Sequence, residues 1–225
     1  MDTASIRASW DDEYRSGRYE DDVPLPFVGE ILETLRSGEA WRGAGLYVGC
    51  GNGRNYLPLV DAGANLHGLD ISGEAIRQLK AKRPNRSLPL TVADFRSYQT
   101  AVPFDYLIAI QVYQHGDEAD ASRYFANAAA VVRPGGLFFV RVNSAATQVY
   151  HRHTVLEVNR LGGFTVRYDE GPKRELPVHF YSRDELRART DADFEPVRDL
   201  REDVIHRAPP KTGSWAQLEG IWRHR

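Results

Sequence analysis

Leu46-Tyr47-Val48-Gly49-Cys50-Gly51-Asn52-Gly53-Arg54-Asn55 is the stretch on which the reading of this chain turns. An apolar run of β type passes at once into a glycine-rich turn, and a helix-length stretch follows from Asn55 to Ala62. Glycines at such a turn let the backbone bend tightly and approach a ligand closely, while the helix start offers N–H groups to a negative group. Asp70 ends the next apolar run, 19 positions beyond Gly51, where an acidic side chain can accept hydrogen bonds from two ribose hydroxyls. An adenosine-type cofactor is implied. The dinucleotide fingerprint G-x-G-x-x-G is not met, because the third glycine comes one residue early at Gly53 and Arg54 stands in its place. That spacing disfavours NAD.

Outward from this turn, short β-type runs alternate with amphipathic stretches, the pattern of βαβ crossovers and a mostly parallel sheet. Strands are expected at Gly45–Val48, Asn65–Leu69, Pro89–Val92, Phe104–Ile110 and Gly136–Val142. Helices are expected at Asn55–Ala62, Gly73–Lys82 and Glu118–Val131. Ser72 suits an N-cap, Arg133-Pro134-Gly135-Gly136 a turn, and Ser182-Arg183-Asp184-Glu185 a capping box opening a helix. The segment Ser5–Ser37 reads as two helices around the Pro24-Leu25-Pro26 breaker. A long insertion, Ser144–Tyr181, is rich in His, Tyr and Arg; long insertions are usually lids or binding loops, so substrate contacts are expected there. The tail, with Phe194–Ile205 and Ser214–Trp222, supplies two final strands.

Composition narrows the function. The 29 Lys and Arg nearly balance the 31 Asp and Glu, with no long block of one sign to attract nucleic acid or a membrane surface. A single cysteine, Cys50, excludes an internal disulfide and a cysteine-cluster metal site, so no metal is expected. The polar, acidic N-terminus reads as neither signal peptide nor anchor, which makes the cytoplasm the expected compartment. One domain with additions suits 225 residues. Its expected parts are an N-terminal helical cap (1–40), a cofactor-binding core (41–143), a substrate-side insertion (144–181), and a C-terminal helix with the last two strands (182–225).

Taken together, the motifs resemble those of the class I S-adenosylmethionine (SAM)-dependent methyltransferases, and the resemblance runs from about Trp10 to the C-terminus. The family's strand into G-x-G-x-G is matched by Gly49, Gly51 and Gly53, and its ribose-binding acid by Asp70, with Ile71 beside the adenine. An acid after the third strand is matched by Ala93-Asp94-Phe95, the end of the fourth strand by Phe104–His115, and the fifth motif by Val132–Leu137. The resemblance implies a Rossmann-like α/β fold with a mostly parallel seven-stranded sheet flanked by helices, capped by the N-terminal helices and the insertion. It implies methyl transfer by in-line displacement to O or N, alternatively S, of a small molecule, leaving S-adenosylhomocysteine (SAH). The implied cofactor contacts are Trp10, Tyr14, Gly49, Cys50, Gly51, Gly53, Asn55, Asp70, Ile71, Ala93, Asp94, Phe95 and Gln111. Many members carry Asp or Glu where Tyr47 stands; the cofactor's amino group would then rest on backbone carbonyls such as those of Gly49 and Gln111.

His115, just past the fourth strand, is the first candidate for a general base, with His179 and Tyr113 behind it. A loop histidine that only shapes a pocket is the plainer alternative. His151 and His153 form an H-x-H pair with no further ligand cluster and read as surface residues. Aromatic faces such as Trp10 and Tyr14, spaced i and i+4, suit a sulfonium, although ordinary packing is the competing explanation. The run Asp11-Asp12-Glu13 reads as a solvated face or a selector of substrate charge, and Arg141 as a contact for an acidic substrate or half of a salt bridge. Two other classes stay open, a SAM-binding module without catalysis and an NAD(P)-linked oxidoreductase. The expected partner is a small-molecule methyl acceptor, with neither nucleic acid nor membrane, for a monomer or homodimer.

Overall fold

A computed structural model describes residues 3–20, 22–171 and 173–225. Strand β1 (Gly45–Val48) is buried at all four positions, and β4 (Phe104–Ile110) is buried over its last five, as strands covered on both faces must be. Next to β1, β2 (Leu66–Asp70) pairs in parallel register, Gly45 opposite Leu66 and Val48 opposite Leu69. β3 (Leu90–Val92) continues the parallel ladder, with Asp70 opposite Val92. The crossovers carry α3 (Tyr56–Asp61) and α4 (Gly73–Ala81). Ser72 caps α4 by accepting a hydrogen bond from the Ala75 N–H at 3.0 Å.

The chain clusters into two compact units, Met1–Ile108 with Val131–Leu137, and Ala109–Ala130 with Phe138–Arg225. The first unit also holds α1 (Thr3–Arg15) and α2 (Phe27–Arg36). α2 buries Phe27, Val28, Ile31 and Leu35, the i, i+4, i+8 stripe of a core-facing helix, whereas α1 buries no residue fully. Strand neighbours in this unit run β4-β1-β2-β3. α5 (Glu118–Val131) leads directly into β5 (Val132–Asn143), and both β4 and β5 pass from one unit to the other.

In the second unit, β11 (Ser214–His224) lies beside β5 and pairs antiparallel with β10 (Arg201–His206) and with the short β9 (Phe194–Pro196). The expected strand Phe194–Ile205 is therefore two strands, and the sheet gains an eighth member off its seven-strand path. Pro196 has no N–H with which to extend the ladder, and β9 stops there. The insertion is not a loop. β6 (His153–Val158), β7 (Phe164–Tyr168) and β8 (Pro177–Phe180) form their own antiparallel sheet over a core of Val166, Val178 and Phe180. α6 (Arg183–Thr190) follows, with Ser182 accepting from the Glu185 N–H at 3.0 Å, as the capping box requires.

Candidate active site

The glycine turn after β1 holds Gly49, Gly51 and Gly53 at φ of 68°, 55° and 100°, conformations that an L side chain rarely adopts. A Cβ built on Gly51 would lie 2.6 Å from the Tyr14 hydroxyl, so only glycine leaves that approach open. Two main-chain donors converge on Asp70: its Oδ2 accepts from the Gly51 N–H at 2.7 Å and its Oδ1 from the Ser72 N–H at 2.8 Å. A carboxylate has about four acceptor positions, and with the Ile71 backbone as a further donor Asp70 keeps capacity for a hydroxyl. Burial, with Asp70 only 6% exposed, pushes its carboxyl up to about 6. The backbone bonds from Ser72, Gly51 and Ile71 pull the other way, and the nearby Asp11 charge adds to the rise. A turn shaped for close approach next to a carboxylate with spare acceptor capacity fits a ribose-bearing cofactor.

Tyr14 is half-buried as a residue, but its hydroxyl end is deep, and burial followed by the charge of Asp70 raises its pKa well above the ordinary value. Its ring lies 5.3 Å from that of Tyr19, and Trp10 on the same helix is half-buried. Tyr47 is buried edge-on against Tyr56 with ring centroids 5.9 Å apart, and burial drives its phenol well above the usual range. It shares a side-chain hydrogen bond with Asn55, whose Oδ1 also accepts from the Leu25 N–H at 2.9 Å. Asn55 thus ties the proline segment to the turn. Cys50 is buried, which pushes its thiol up and leaves it a packing residue. The Ala93 N–H donates to the Asp70 carbonyl at 2.9 Å, and Phe95 is buried. Burial alone would raise the Asp94 carboxyl, yet Arg96, whose Nη2 donates to Oδ2 at 2.6 Å, holds it below the ordinary range.

The second unit carries the other candidates. Gln111, at the end of β4, sits at φ 59°, an outlier for a residue with a side chain; its N–H donates to the Arg141 carbonyl at 2.7 Å. Tyr113 is buried against Tyr124, stacked at 4.7 Å, and against Phe125 edge-on at 5.4 Å. Its phenol pKa is raised well above the usual value by burial, which places it among packing residues. His179 is 1% exposed; its Nε2 lies 2.9 and 3.1 Å from the Glu185 carboxylate and its Nδ1 lies 2.7 Å from Thr165 Oγ1, so both ring nitrogens are held by the protein. His115 is half-buried with a deep ring. Desolvation, then the charge of Lys173, lowers its pKa well below the ordinary histidine value, against a hydrogen bond to the Gln111 backbone that works the other way.

Arg141 is a salt-bridge residue. At 1% exposure it pairs with Glu219, itself 0% exposed, and with Asp203 at 2.8 Å, while Arg201 joins Glu219 from the neighbouring strand. Three buried amides escaped the sequence reading: Gln114 Oε1 accepts from the Asn143 N–H at 2.9 Å, and Gln217 Nε2 donates to Asn143 Oδ1 at 2.6 Å. For Gln217 the available signal was a polar residue inside the apolar run Trp215–Trp222. His151 and His153 are not joined in a ligand set; His153 Nδ1 lies 2.8 Å from the His151 carbonyl. Among the described residues no group of three or more His, Cys, Asp or Glu could hold a metal ion. No helix among them is long and apolar enough to cross a membrane.

A mostly parallel sheet flanked by helices, with a glycine turn after its first strand and an acid ending its second, defines the fold of the class I SAM-dependent methyltransferases. Residues 46–136 match the model of the methyltransferase domain family. A ubiquinone biosynthesis O-methyltransferase from Methylobacterium sp. (strain 4-46) is 37% identical over 98 residues, 41% of this chain and 37% of that protein. The chain thus matches well under half the length of that relative. Among solved structures, the 1,6-didemethyltoxoflavin N1-methyltransferase of Burkholderia thailandensis, with bound 1,6-didemethyltoxoflavin and SAH, superposes with a TM-score of 0.67 at 19% identity. That likeness covers 98% of this chain and 88% of that one. A SAM-dependent methyltransferase from Clostridium acetobutylicum gives a TM-score of 0.65 at 14% identity, covering 94% and 98%.

Proposed function

We propose that this chain is a SAM-dependent methyltransferase acting on the O or N of a small molecule. The observation that carries the reading is the convergence of the Gly51 and Ser72 N–H groups on Asp70 beside the left-handed glycine turn. Asp70 holds the ribose, Gly49–Gly53 with Tyr14 and Trp10 hold the amino-acid end, and Ile71, Ala93, Asp94 and Phe95 flank the adenine. Tyr47 brings no charge, so the ammonium rests on main-chain carbonyls such as that of Gly49. When bound, the cofactor supplies a methyl group on a sulfonium, an electrophile with an excellent leaving group. Alignment of the acceptor is therefore the protein's main task, worth about 7–11 kcal/mol.

His115 is the general base in this reading. Its lowered pKa keeps it neutral at neutral pH and makes it a weak base, suited to an acceptor whose own proton is acidic. Phenol-type hydroxyls, with a pKa of about 10, meet that condition better than aliphatic alcohols. The O-methyltransferase name of the relatives over the cofactor half and the N-methyltransferase name of the full-length structural neighbour both suit an acidic aromatic acceptor. A cytoplasmic setting suits a chain whose single cysteine is a buried thiol.

The test is turnover of methyl-labelled SAM against a panel of phenols, enols and aromatic N–H heterocycles. With the substrate found, His115→Ala is expected to lower kcat about a hundredfold or more while His179→Gln mainly lowers stability. Full activity in His115→Ala, or no turnover by protein that binds SAH, overturns the catalytic assignment.

A further inference from the structure

The acidic run at residues 11–13 does not form one solvated face. Asp12 pairs with Arg15 at 2.7 Å and Glu13 with Arg18 at 2.7 Å, whereas Asp11, whose Oδ2 lies 3.9 Å from Arg15, turns its Oδ1 off its own helix. Its Oδ1 accepts from Ser72 Oγ at 2.6 Å and from the Glu74 N–H at 3.0 Å. Those donors belong to the cap and first turn of α4, where main-chain N–H groups and the helix dipole favour an anion. The anion comes from α1.

The neighbours of Asp11 along α1 repeat the pattern. Thr3 Oγ1 donates to Asp94 Oδ2 at 3.0 Å, Arg7 Nε donates to the Ile71 carbonyl at 3.1 Å, and the Tyr14 carbonyl accepts from Gln78 Nε2 at 3.0 Å. Positions 3, 7, 11 and 14 fall on one helical stripe. α1 buries no residue fully, so this polar stripe rather than an apolar core docks it. Its targets are Ile71, Ser72 and Asp94, beside or within the set assigned to the ribose and adenine. Ser72 stands at the junction: its N–H serves Asp70 while its hydroxyl serves Asp11.

Building on the cofactor site proposed above, we propose that Asp11 is a positioning residue that seats the N-terminal helix, and with it Tyr14, over the bound cofactor by gripping Ser72 and the start of α4. It touches no reacting atom. A helix held by a few polar contacts opens at low cost, which admits the cofactor, and the stripe closes it again. Closure is coupled to occupancy because the loops it grips are the loops that the cofactor orders.

The experiment measures SAH affinity by titration calorimetry and hydrogen exchange of the α1 amides with and without SAH, in the full chain and in Asp11→Ala, Asp11→Asn and Ser72→Ala. In the unaltered protein SAH is expected to slow exchange across α1. Asp11→Ala is expected to abolish that protection and to weaken SAH about tenfold or more, with a melting temperature close to the parent. Asp11→Asn, which keeps an acceptor oxygen, is expected to recover part of the affinity. With an acceptor in hand, KM for SAM should rise while kcat at saturation stays within about twofold. Asp11→Ala and Ser72→Ala should be non-additive, as partners in one contact are. SAH bound equally by parent and Asp11→Ala, with unchanged exchange at α1, overturns the Asp11 assignment alone. No SAH binding by the folded parent overturns the cofactor reading instead.

Discussion

Around Asp70 and around Arg141 the protein handles buried charge in two different ways. Asp70 is answered by the main chain: the amides of Gly51 and Ser72 point at its oxygens, and both are placed by the turn and the helix start. Arg141 is answered by side chains from other strands, Glu219 and Asp203, with Arg201 closing the group. A carboxylate met by amides keeps acceptor capacity for a ligand. A guanidinium saturated by carboxylates is a structural fixture, because breaking such a pair leaves an uncompensated buried ion.

The widest separation between the regions should come from Glu219→Ala. It strands Arg141 with only the partly exposed Asp203, and urea unfolding should show a loss of about 3–5 kcal/mol. A loss under about 1 kcal/mol would mean that Arg141 is not held by this pair. Gly51→Ala should act at the other region: its φ of 55° costs a side chain roughly 1–2 kcal/mol, and its methyl crowds the Tyr14 hydroxyl, so SAH affinity should fall about tenfold or more. Unchanged affinity would remove the turn from the site.

A smaller effect follows from the Asp70 carboxyl at about 6. In the proposed site the ribose needs the ionised form, so the association constant for SAH should climb from pH 5 to pH 7 and level off above, and Asp70→Asn should flatten the curve. The linkage to stability has the opposite sign. A carboxyl raised by burial stabilises the fold below its ordinary value of about 4, and that contribution is lost as pH rises through 6. Calorimetric profiles that run the other way contradict the assignment. Least of all, Gln111→Gly should relieve the left-handed backbone and change stability by no more than about 1 kcal/mol. A larger loss would show that the side-chain contact with Gln217 at 3.4 Å outweighs the strain.

The same contrast explains what could be read from the chain. β1, β4 and α5 lie at their expected limits, because apolar runs and glycine or proline punctuation act locally. Gly51 on the turn and Asp70 at the strand end were legible for the same reason, but the hydrogen bond between them was not. The pairing of Glu219 with Arg141, 78 positions apart, was not, since long-range register decides it. Nor was the engagement of both His179 nitrogens, which needs β7, β8 and α6 in one place. On its length alone the insertion is expected to be a lid or binding loop, whereas its three short strands pair with one another across turns at Gly162 and Gly171.

The most direct measurement is titration of SAH into the folded parent and into Asp70→Ala at pH 7.5. Saturable binding by the parent, weakened about a hundredfold in the variant by the loss of two charge-assisted hydrogen bonds, is the expected result. Equal affinity in both proteins, or a folded parent that takes NADPH and ignores SAH, would contradict the cofactor site on which everything else rests.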